Sequence, residues 1–256
     1  MPSPSLKNRS AIVTGAGNGL GLAIARRLAR AGDRVFLVDR DPVVLERIGS
    51  IDLPAETTSA FVKDLADEDA ARVVFNEARK TCGAIDTLIN NAAWSFHKAM
   101  LNVTSGEFDR LVAVNQRAPF FLAQELLRHV SSPTFKSSDP VIVNVASVNA
   151  LVGNAELVPY AGTKGALTAM TRAMAVEMAP FGVRVNAISP GAVDTFVTQS
   201  LVASGTIEPS KLFARYLVQR FASCEEIAEL VSYLCSPSAA CVNGANWVID
   251  GGYTAQ

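Results

Sequence analysis

Apolar residues along the chain follow two alternating patterns. Seven short runs rich in β-branched residues have the length of strands and no regular apolar–polar alternation; they cover residues 11–14, 35–39, 59–62, 87–90, 141–145, 183–188 and 247–249. Between them lie longer amphipathic stretches with a helical period, at 20–31, 66–81, 107–129, 160–179 and 224–235. Short buried strands alternating with helices predict an α/β fold, a doubly wound parallel sheet of about seven strands with helices on both faces.

The segment 190–222 departs from this alternation. It holds two weak helical patterns, at 195–203 and 209–217, around a Ser-Gly-Thr turn. An insertion of this length after a strand usually forms a lid or a binding loop. Since no repeat period or linker interrupts the rest, we expect residues 1–256 to form a single domain with a substrate lid at about 190–222.

The composition excludes several classes of protein. With 23 basic and 24 acidic residues, the chain has no electrostatic footprint for nucleic acid or an anionic membrane. No stretch approaches the ~20 apolar residues that span a bilayer, and residues 1–5 show no signal-peptide pattern. The four cysteines form no Cys-x-x-Cys pair and the two histidines have no metal-like spacing. We therefore expect free thiols, a reducing cytoplasm and no metal site.

A glycine-rich turn between the first strand and the first helix is a candidate binding site. It has the sequence Thr-Gly-Ala-Gly-Asn-Gly-Leu-Gly over residues 14–21. Glycines allow a tight turn and let a pyrophosphate approach the N–H groups at the helix N-terminus. The residues expected to hold a dinucleotide pyrophosphate are Gly15, Asn18, Gly19, Leu20 and Gly21.

The end of the second strand bears on the choice of cofactor. Asp39 lies 18 residues after Gly21, where a carboxylate can accept both adenosine-ribose hydroxyls and repels a 2′-phosphate. The adjacent Arg40 could pair with a phosphate, but Asn18 occupies the glycine-loop position where a second basic residue would assist it. We expect NAD as the cofactor, with Asp39 and Arg40 at its adenosine end.

A second candidate site combines a strand end with a helix. Tyr160 and Lys164 are spaced i and i+4, so the phenol and the ammonium lie on one helix face, one turn apart. Ser147 lies thirteen residues before Tyr160, at the end of the predicted fifth strand. Phenol, ammonium and hydroxyl together can move a proton and stabilise a developing oxyanion.

These motifs together resemble the short-chain dehydrogenase/reductase family, in its branch of about 250 residues. The resemblance runs nearly end to end and rests on the following residues: Thr14-Gly15-x-x-x-Gly19-x-Gly21, Asp64-Leu65, Asn90-Asn91-Ala92, Asn115, Ser147, Tyr160-x-x-x-Lys164, Asn186 and Pro190-Gly191. It implies a Rossmann-like fold and hydride transfer between a nicotinamide dinucleotide and an alcohol or carbonyl compound. Ala93 departs from the family's usual glycine, where we expect only a local adjustment.

The resemblance also implies roles for individual residues. Asn115, Ser147, Tyr160 and Lys164 would be catalytic, with Asn115 keeping a proton-relay water in place and Lys164 holding the nicotinamide ribose. Further cofactor contacts would come from Asp64 near the adenine, from the loop after the fourth strand, and from the segment after the sixth. These contacts are Leu65, Asn91, Ala92, Tyr160, Pro190, Gly191, Val193 and Thr195.

Elementary electrostatics agrees with the role of Tyr160. A tyrosine with an ordinary pKa of ~10 is a poor acid or base at neutral pH. An ammonium about 4 Å away stabilises a phenolate by roughly 4 kcal/mol at an effective dielectric constant of ~20, before desolvation costs. Lys164 is therefore expected to make Tyr160 competent, while Ser147 donates a hydrogen bond to the substrate oxygen.

The substrate itself is poorly determined by the sequence. The variable segments 94–100, 148–157 and 195–221 are mostly apolar, which favours a neutral or largely apolar alcohol. Candidate substrate contacts are Trp94, Ser147, Asn149, Asn154, Tyr160 and Phe196. The alternatives are an NADPH-dependent 3-oxoacyl-type reductase and a non-catalytic dinucleotide-binding protein. The resemblance and two long apolar-rich helices predict a homo-oligomer, most simply a tetramer with 222 symmetry.

Overall fold

A single parallel sheet organises the part of the chain that the structure describes. The computed structural model describes residues 9–50, 52–136 and 139–255. The seven strands found there are β1 (Ser10–Thr14), β2 (Arg34–Asp39), β3 (Thr58–Val62), β4 (Thr87–Asn90), β5 (Val141–Val145), β6 (Arg184–Pro190) and β7 (Asn246–Ile249). They pair in the order β3-β2-β1-β4-β5-β6-β7, and every pair is parallel. The predicted doubly wound, Rossmann-like sheet is confirmed.

Helices cover both faces of the sheet. The helices are α1 (Gly19–Arg30), α2 (Ala70–Cys82), α3 (Ser105–Val112), α4 (Ala118–Val130), α5 (Val158–Met178), α6 (Phe196–Ala203), α7 (Pro209–Phe213) and α8 (Cys224–Cys235). Helices α1 and α8 pack on one face, whereas α2, α4 and α5 pack on the other. Successive residues of β1 serve opposite faces, since Ala11 and Val13 join the first core and Ile12 the second. This two-sided burial explains the unbroken apolar runs.

The predicted helix over 107–129 is interrupted in the structure. Helix α3 ends at Val112, a π-helical turn covers Ala113–Arg117, and α4 begins at Ala118. Helix α3 begins with a capping box, in which the Thr104 hydroxyl accepts from Glu107 N and the Glu107 carboxylate accepts from Thr104 N. Asn115 lies in this π turn, a kind of turn that is rare and often occurs at functional sites.

The segment 190–222 contains the two helices predicted there, and the second is shorter than expected. Helix α7 ends at Phe213 rather than near 217. The chain turns at Tyr216, whose hydroxyl accepts a hydrogen bond from Ala192 N and whose ring packs at 4.8 Å from that of Tyr253. This buried ring anchors the end of the segment to the loop after β6 and to the C-terminal turn, so the helical pattern does not continue.

The sequence also makes predictions about membrane-spanning helices, a signal peptide and the state of the cysteines. No described helix is long and apolar enough to cross a membrane. Residues 1–5, where no signal peptide is expected, lie outside the described residues. The cysteines are free thiols, three of them buried and Cys241 exposed.

Candidate active site

The glycine-rich turn connects β1 to α1 and requires its glycines for steric reasons. Gly15 and Gly19 have φ values of +64° and +53°, which favour glycine. A Cβ on Gly21 would lie 2.0 Å from the carbonyl oxygen of Gly15. Asn91, in the loop after β4, reinforces the turn, because its Nδ2 donates to Thr14 O at 2.9 Å and to Gly15 O at 3.1 Å.

A first cleft of about 370 Å³ opens above this turn, at the carboxyl ends of the central strands. Most of the residues expected to contact the cofactor line it, namely Gly15, Asn18, Gly19, Leu20, Gly21, Asp39, Arg40, Asp64, Leu65, Asn91, Ala92 and Thr195. The cradle suits a dinucleotide, because side chains in place of its glycines would fill the space beside the helix N-terminus. The site therefore fits a nicotinamide dinucleotide.

Asp39 is held in one position by backbone donors. Its Oδ2 accepts from Gly17 N at 2.9 Å and its Oδ1 accepts from Asp41 N at 3.0 Å. Arg40 is exposed and lines the same cleft. The carboxylate thus lies beside the glycine turn, where an adenosine ribose would be bound.

Arg47 is a neighbour of this site that the sequence did not reveal. It ends the short 3₁₀ turn Pro42–Arg47, and its guanidinium donates to Gly17 O at 2.9 Å and to Asn18 Oδ1 at 2.7 Å. A basic group therefore does lie against the glycine turn, although Asn18 itself is neutral. The nearest signal in the sequence is the Asp41-Pro42 start of that turn, which does not specify the direction of Arg47.

Asp64, expected near the adenine, is paired with Arg110 from α3. Arg110 Nη2 donates to Asp64 Oδ2 at 2.7 Å, and Ala66 N donates to Oδ1 at 2.9 Å. Partial burial acts to raise the pKa of Asp64, but these two hydrogen bonds outweigh it and lower that pKa overall. Asp64 therefore forms a charged wall of the first cleft together with Arg110.

Ser147, Tyr160 and Lys164 meet in a second cleft of about 820 Å³, which shares Leu20 and Thr195 with the first. The Ser147 side chain lies within hydrogen-bonding range of the Tyr160 phenol. Lys164, only 2% exposed, donates from Nζ to Val145 O at 2.6 Å, and its Nζ lies 5.7 Å from the centroid of the Tyr160 ring. The three side chains thus lie together in the second cleft, which adjoins the first.

Burial controls the ionisation of this group. Burial raises the pKa of the Tyr160 phenol, while the hydrogen bond with Ser147 acts to lower it. Burial also lowers the pKa of Lys164 to about 8. In this structure desolvation therefore disfavours the charged form of both groups, and any charge placed beside them has a large effect.

Asn115 lies outside both clefts and is fully buried. Its Oδ1 accepts from Trp94 N at 2.8 Å, and its Nδ2 donates to Trp94 O at 2.9 Å and to Thr163 Oγ1 at 3.2 Å. The amide thereby joins the loop after β4 to α5. The water-holding role expected for Asn115 stays a prediction.

The remaining predicted residues divide between the two clefts. Pro190, Gly191 and Val193 line the second cleft, as do Asn149 and Asn154. Trp94 and Phe196, expected at the substrate, line the first cleft instead. Phe196 is 79% exposed there, at the start of α6.

Sequence and structure comparisons agree on the class of protein. A family model described as enoyl-(acyl carrier protein) reductase matches residues 15–254. The 2-(S)-hydroxypropyl-CoM dehydrogenase 3 of Xanthobacter autotrophicus is 34% identical over 99% of both chains. The meso-2,3-butanediol dehydrogenase of Serratia marcescens is 33% identical over 97% of this chain and 96% of its own.

A solved structure extends the likeness to three dimensions. The gluconate 5-dehydrogenase from Burkholderia cenocepacia, in complex with NADP and tartrate, superposes with a TM-score of 0.89 at 29% identity, covering 98% of this chain and 97% of its own. The chain belongs to the short-chain dehydrogenase/reductase family. Membership brings the reaction class with it, hydride transfer between a nicotinamide dinucleotide and an alcohol or the corresponding carbonyl compound.

Proposed function

We propose that this protein is an NAD-dependent dehydrogenase of secondary alcohols, acting reversibly on the alcohol–ketone pair. The observation that carries the proposal is that Ser147, Tyr160 and Lys164 lie together in the second cleft, which adjoins the first cleft. A dinucleotide in the first cleft and an alcohol in the second would meet where the clefts adjoin. The bound nicotinamide supplies or accepts the hydride.

Each of the three side chains has a distinct task in this proposal. The Tyr160 phenolate takes the hydroxyl proton when the alcohol is oxidised, and the phenol returns it when the ketone is reduced. Ser147 donates a hydrogen bond to the substrate oxygen, which bears the developing negative charge. Lys164 holds the nicotinamide ribose and, as a cation, stabilises the Tyr160 phenolate against the burial that raises its pKa. Asn115 keeps the catalytic role, and the cofactor contacts keep the roles, that the sequence predicts for them.

The preference for NAD rests on Asp39. Its carboxylate is held by Gly17 N and Asp41 N beside the glycine turn, so a 2′-phosphate there would meet a fixed like charge. Arg40 and Arg47 are basic and would favour a 2′-phosphate, but Arg47 already donates to Gly17 O and Asn18 Oδ1. One solved relative binds NADP, so the proposed preference for NAD rests on the residues of this chain and not on that relative.

A neutral alcohol is the substrate that the second cleft favours. Its walls include Val148, Leu157, Val193 and Leu212. The lid cations already have partners, since Lys211 pairs with Glu208 at 2.6 Å and Arg215 lies 4.4 Å over the Tyr253 ring. The butanediol dehydrogenase among the relatives is named for a neutral secondary alcohol, which supports the same class.

A parallel screen with NAD and NADP tests these proposals together. The panel contains neutral secondary alcohols, hydroxy acids, 3-oxoacyl thioesters and the matching ketones, and the ultraviolet absorbance of the reduced nicotinamide is followed. We expect turnover of neutral secondary alcohols with NAD. Preferential turnover of 3-oxoacyl thioesters with NADPH would favour the reductase alternative, which Arg40 and Arg47 support. NAD binding without turnover of any member would favour a non-catalytic dinucleotide-binding protein.

Three broader assignments complete the proposal. We treat the chain as one domain whose segment 190–222 closes over the substrate, because that segment lines the second cleft. We assign it to the cytoplasm, where the exposed Cys241 thiol would stay reduced. We also propose a homotetramer, for which the exposed apolar side chains are the support.

A further inference from the structure

A continuous chain of hydrogen bonds runs from the lid segment to the Ser147 hydroxyl. Arg215 Nη1 donates to Asn154 Oδ1 at 3.3 Å, and the Tyr253 hydroxyl donates to the same oxygen at 3.0 Å. Asn154 Nδ2 then donates to Asn149 Oδ1 at 2.7 Å, and Asn149 Nδ2 donates to Ser147 Oγ at 3.2 Å. The buried Tyr253 belongs to the C-terminal turn, so three distant parts of the sequence contribute to this chain.

The guanidinium fixes the direction of every bond in the chain. A guanidinium can only donate, so the Asn154 atom that faces Arg215 must be its carbonyl oxygen. The Asn154 amide nitrogen therefore faces Asn149 and requires an oxygen there, which leaves the Asn149 nitrogen to face Ser147. Reversing either amide would place two donors or two acceptors against each other.

Ser147 receives two donors as a result. Its Oγ accepts from Asn149 Nδ2 and also from Asn149 N, each at 3.2 Å. A hydroxyl has two acceptor lone pairs and one proton, so its acceptor capacity is used and its proton must be donated elsewhere. The Tyr160 hydroxyl is a neighbour that can accept this proton, and both side chains line the second cleft, where the alcohol would bind in the proposed function.

We propose that Arg215, Asn154 and Asn149 are positioning residues that aim the Ser147 hydroxyl proton at the reacting oxygens. This inference rests on the proposed function and gives Asn149 and Asn154 a task other than the substrate contact expected from the sequence. Because Arg215 belongs to the lid segment, the chain also links the position of that segment to the orientation of Ser147. A hydroxyl already oriented needs no reorganisation during hydride transfer.

Asn154→Asp reverses the chain with little change in shape. The new carboxylate still accepts from Arg215 and Tyr253, but it cannot donate to Asn149. The Asn149 amide must then turn its nitrogen toward position 154 and its oxygen toward Ser147, which redirects the Ser147 proton onto Asn149. Tyr160 loses a donor, so its phenolate is less stable while Lys164 remains beside it.

The test is a double-mutant cycle of Asn154→Asp and Ser147→Ala, with NAD bound in all four proteins. The first readout is the ultraviolet titration of the Tyr160 phenol, with Tyr160→Phe as the blank, and it needs no substrate. We expect Asn154→Asp to raise the titration midpoint by about one pH unit when Ser147 is present, and by much less when it is absent. Subtracting the shift measured without Ser147 from the shift measured with it removes the direct effect of the charge added at position 154 on the pKa of Tyr160.

The second readout is kcat with the best alcohol of the screen. We expect Asn154→Asp to lower kcat by at least about tenfold with KM nearly unchanged, and to change kcat less than about twofold in the Ser147→Ala background. Arg215→Lys, which keeps a donor-only cation, should retain more activity than Arg215→Leu. Equal effects of Asn154→Asp in both backgrounds, or an unchanged midpoint, would overturn the inference.

The two readouts separate the inference from the proposed function. A wild-type protein that oxidises no alcohol, but whose Tyr160 titration responds as described, contradicts the proposed function and supports the chain. Turnover with additive effects in the cycle supports the function and contradicts the chain.

Discussion

At the scale of single residues, the proposed preference for NAD over NADP rests on Asp39. Both carboxylate oxygens are held by backbone donors, which keeps the charge at a fixed point beside the ribose position. Placing a phosphate next to a poorly solvated like charge costs several kcal/mol. The exposed Arg40 recovers part of that cost only by turning toward the ribose.

We expect NAD to be preferred over NADP by at least about 100-fold in kcat/KM, equivalent to about 2.7 kcal/mol. Asp39→Ala should narrow or reverse this preference, because it removes the repulsion and leaves Arg40 and Arg47 available to a phosphate. Steady-state kinetics with both cofactors measures the ratio. Asp41→Ala is the matched control, since it removes the adjacent exposed carboxylate, which caps the 3₁₀ turn through Val43 N. A wild-type protein that uses the two cofactors equally would contradict the role of Asp39.

Lys164 should serve cofactor binding as well as proton transfer. It is buried in the second cleft, where its ammonium lies beside the Tyr160 ring. We expect Lys164→Met to raise the Kd for NAD at least about tenfold and to suppress turnover. Tyr160→Phe, which removes only the hydroxyl, should change that Kd less than about twofold. Fluorescence titration with NADH measures both, and equal losses of affinity would show that the two tasks are not divided in this way.

At the scale of elements, the turn between β1 and α1 depends on close backbone contact. A Cβ on Gly21 would meet Gly15 O at 2.0 Å and Asn91 Nδ2 at 2.5 Å. We expect Gly21→Ala to distort the turn, to lower the free energy of unfolding by about 1–3 kcal/mol, and to weaken NAD binding at least about tenfold. Urea unfolding and NADH titration measure these effects.

Gly106→Ala is the control for this prediction. Gly106 is exposed in the first turn of α3, and a Cβ there would meet open space. Alanine has the higher helix propensity, so this variant should unfold at the same or a slightly higher urea concentration. Similar losses of stability and of NAD affinity in both variants would mean that the close backbone contact at Gly21 is not the cause of the effect.

The elements differ in how much of them the sequence could predict. Strands such as Val141–Val145 could be predicted, because a strand buried on both faces has an unbroken run of apolar residues in its sequence. The π turn at Ala113–Arg117 was not, because one wider turn barely disturbs the period of a long helix. The early end of α7 depends on Tyr216, whose partners lie far away in the sequence.

The same distinction holds within the site. The glycine turn and the Tyr160–Lys164 pair are local spacings, so the sequence alone could suggest them. Arg47 reaches Asn18 across 29 positions, and the Tyr253 hydroxyl reaches Asn154 across 99. Contacts of this kind depend on the packed fold, and one sequence carries no pattern that predicts them.

At the scale of the whole molecule, exposed apolar side chains occur on α3, α4 and α5 and also on the outer strand β7. Phe108, Phe120 and Val176 are 48%, 43% and 78% exposed on the surface formed by α3, α4 and α5. Trp247 and Val248 are partly exposed at the outer strand β7. Two separate faces that each pair across a two-fold axis generate a tetramer with 222 symmetry.

Sedimentation should give a mass near four times the chain mass of 27.1 kDa at micromolar concentration. Val176→Asp should lower the mass, because it would bury a charge between the paired helices. Leu45→Asp, which alters another exposed apolar residue, in the 3₁₀ turn Pro42–Arg47, should leave the mass unchanged. A stable wild-type monomer would contradict the proposed assembly.

The central claim is that Tyr160 moves the proton while an NAD-linked hydride transfer interconverts an alcohol and a ketone. The most direct measurement compares wild-type protein with Tyr160→Phe, following NADH formation from a neutral secondary alcohol at saturating NAD. The expected result is turnover by the wild type and a loss of at least about 1000-fold in the variant, because the acid–base group is gone while the Ser147 donor and the cofactor cradle remain. Turnover by Tyr160→Phe at a rate close to that of the wild type would contradict the claim.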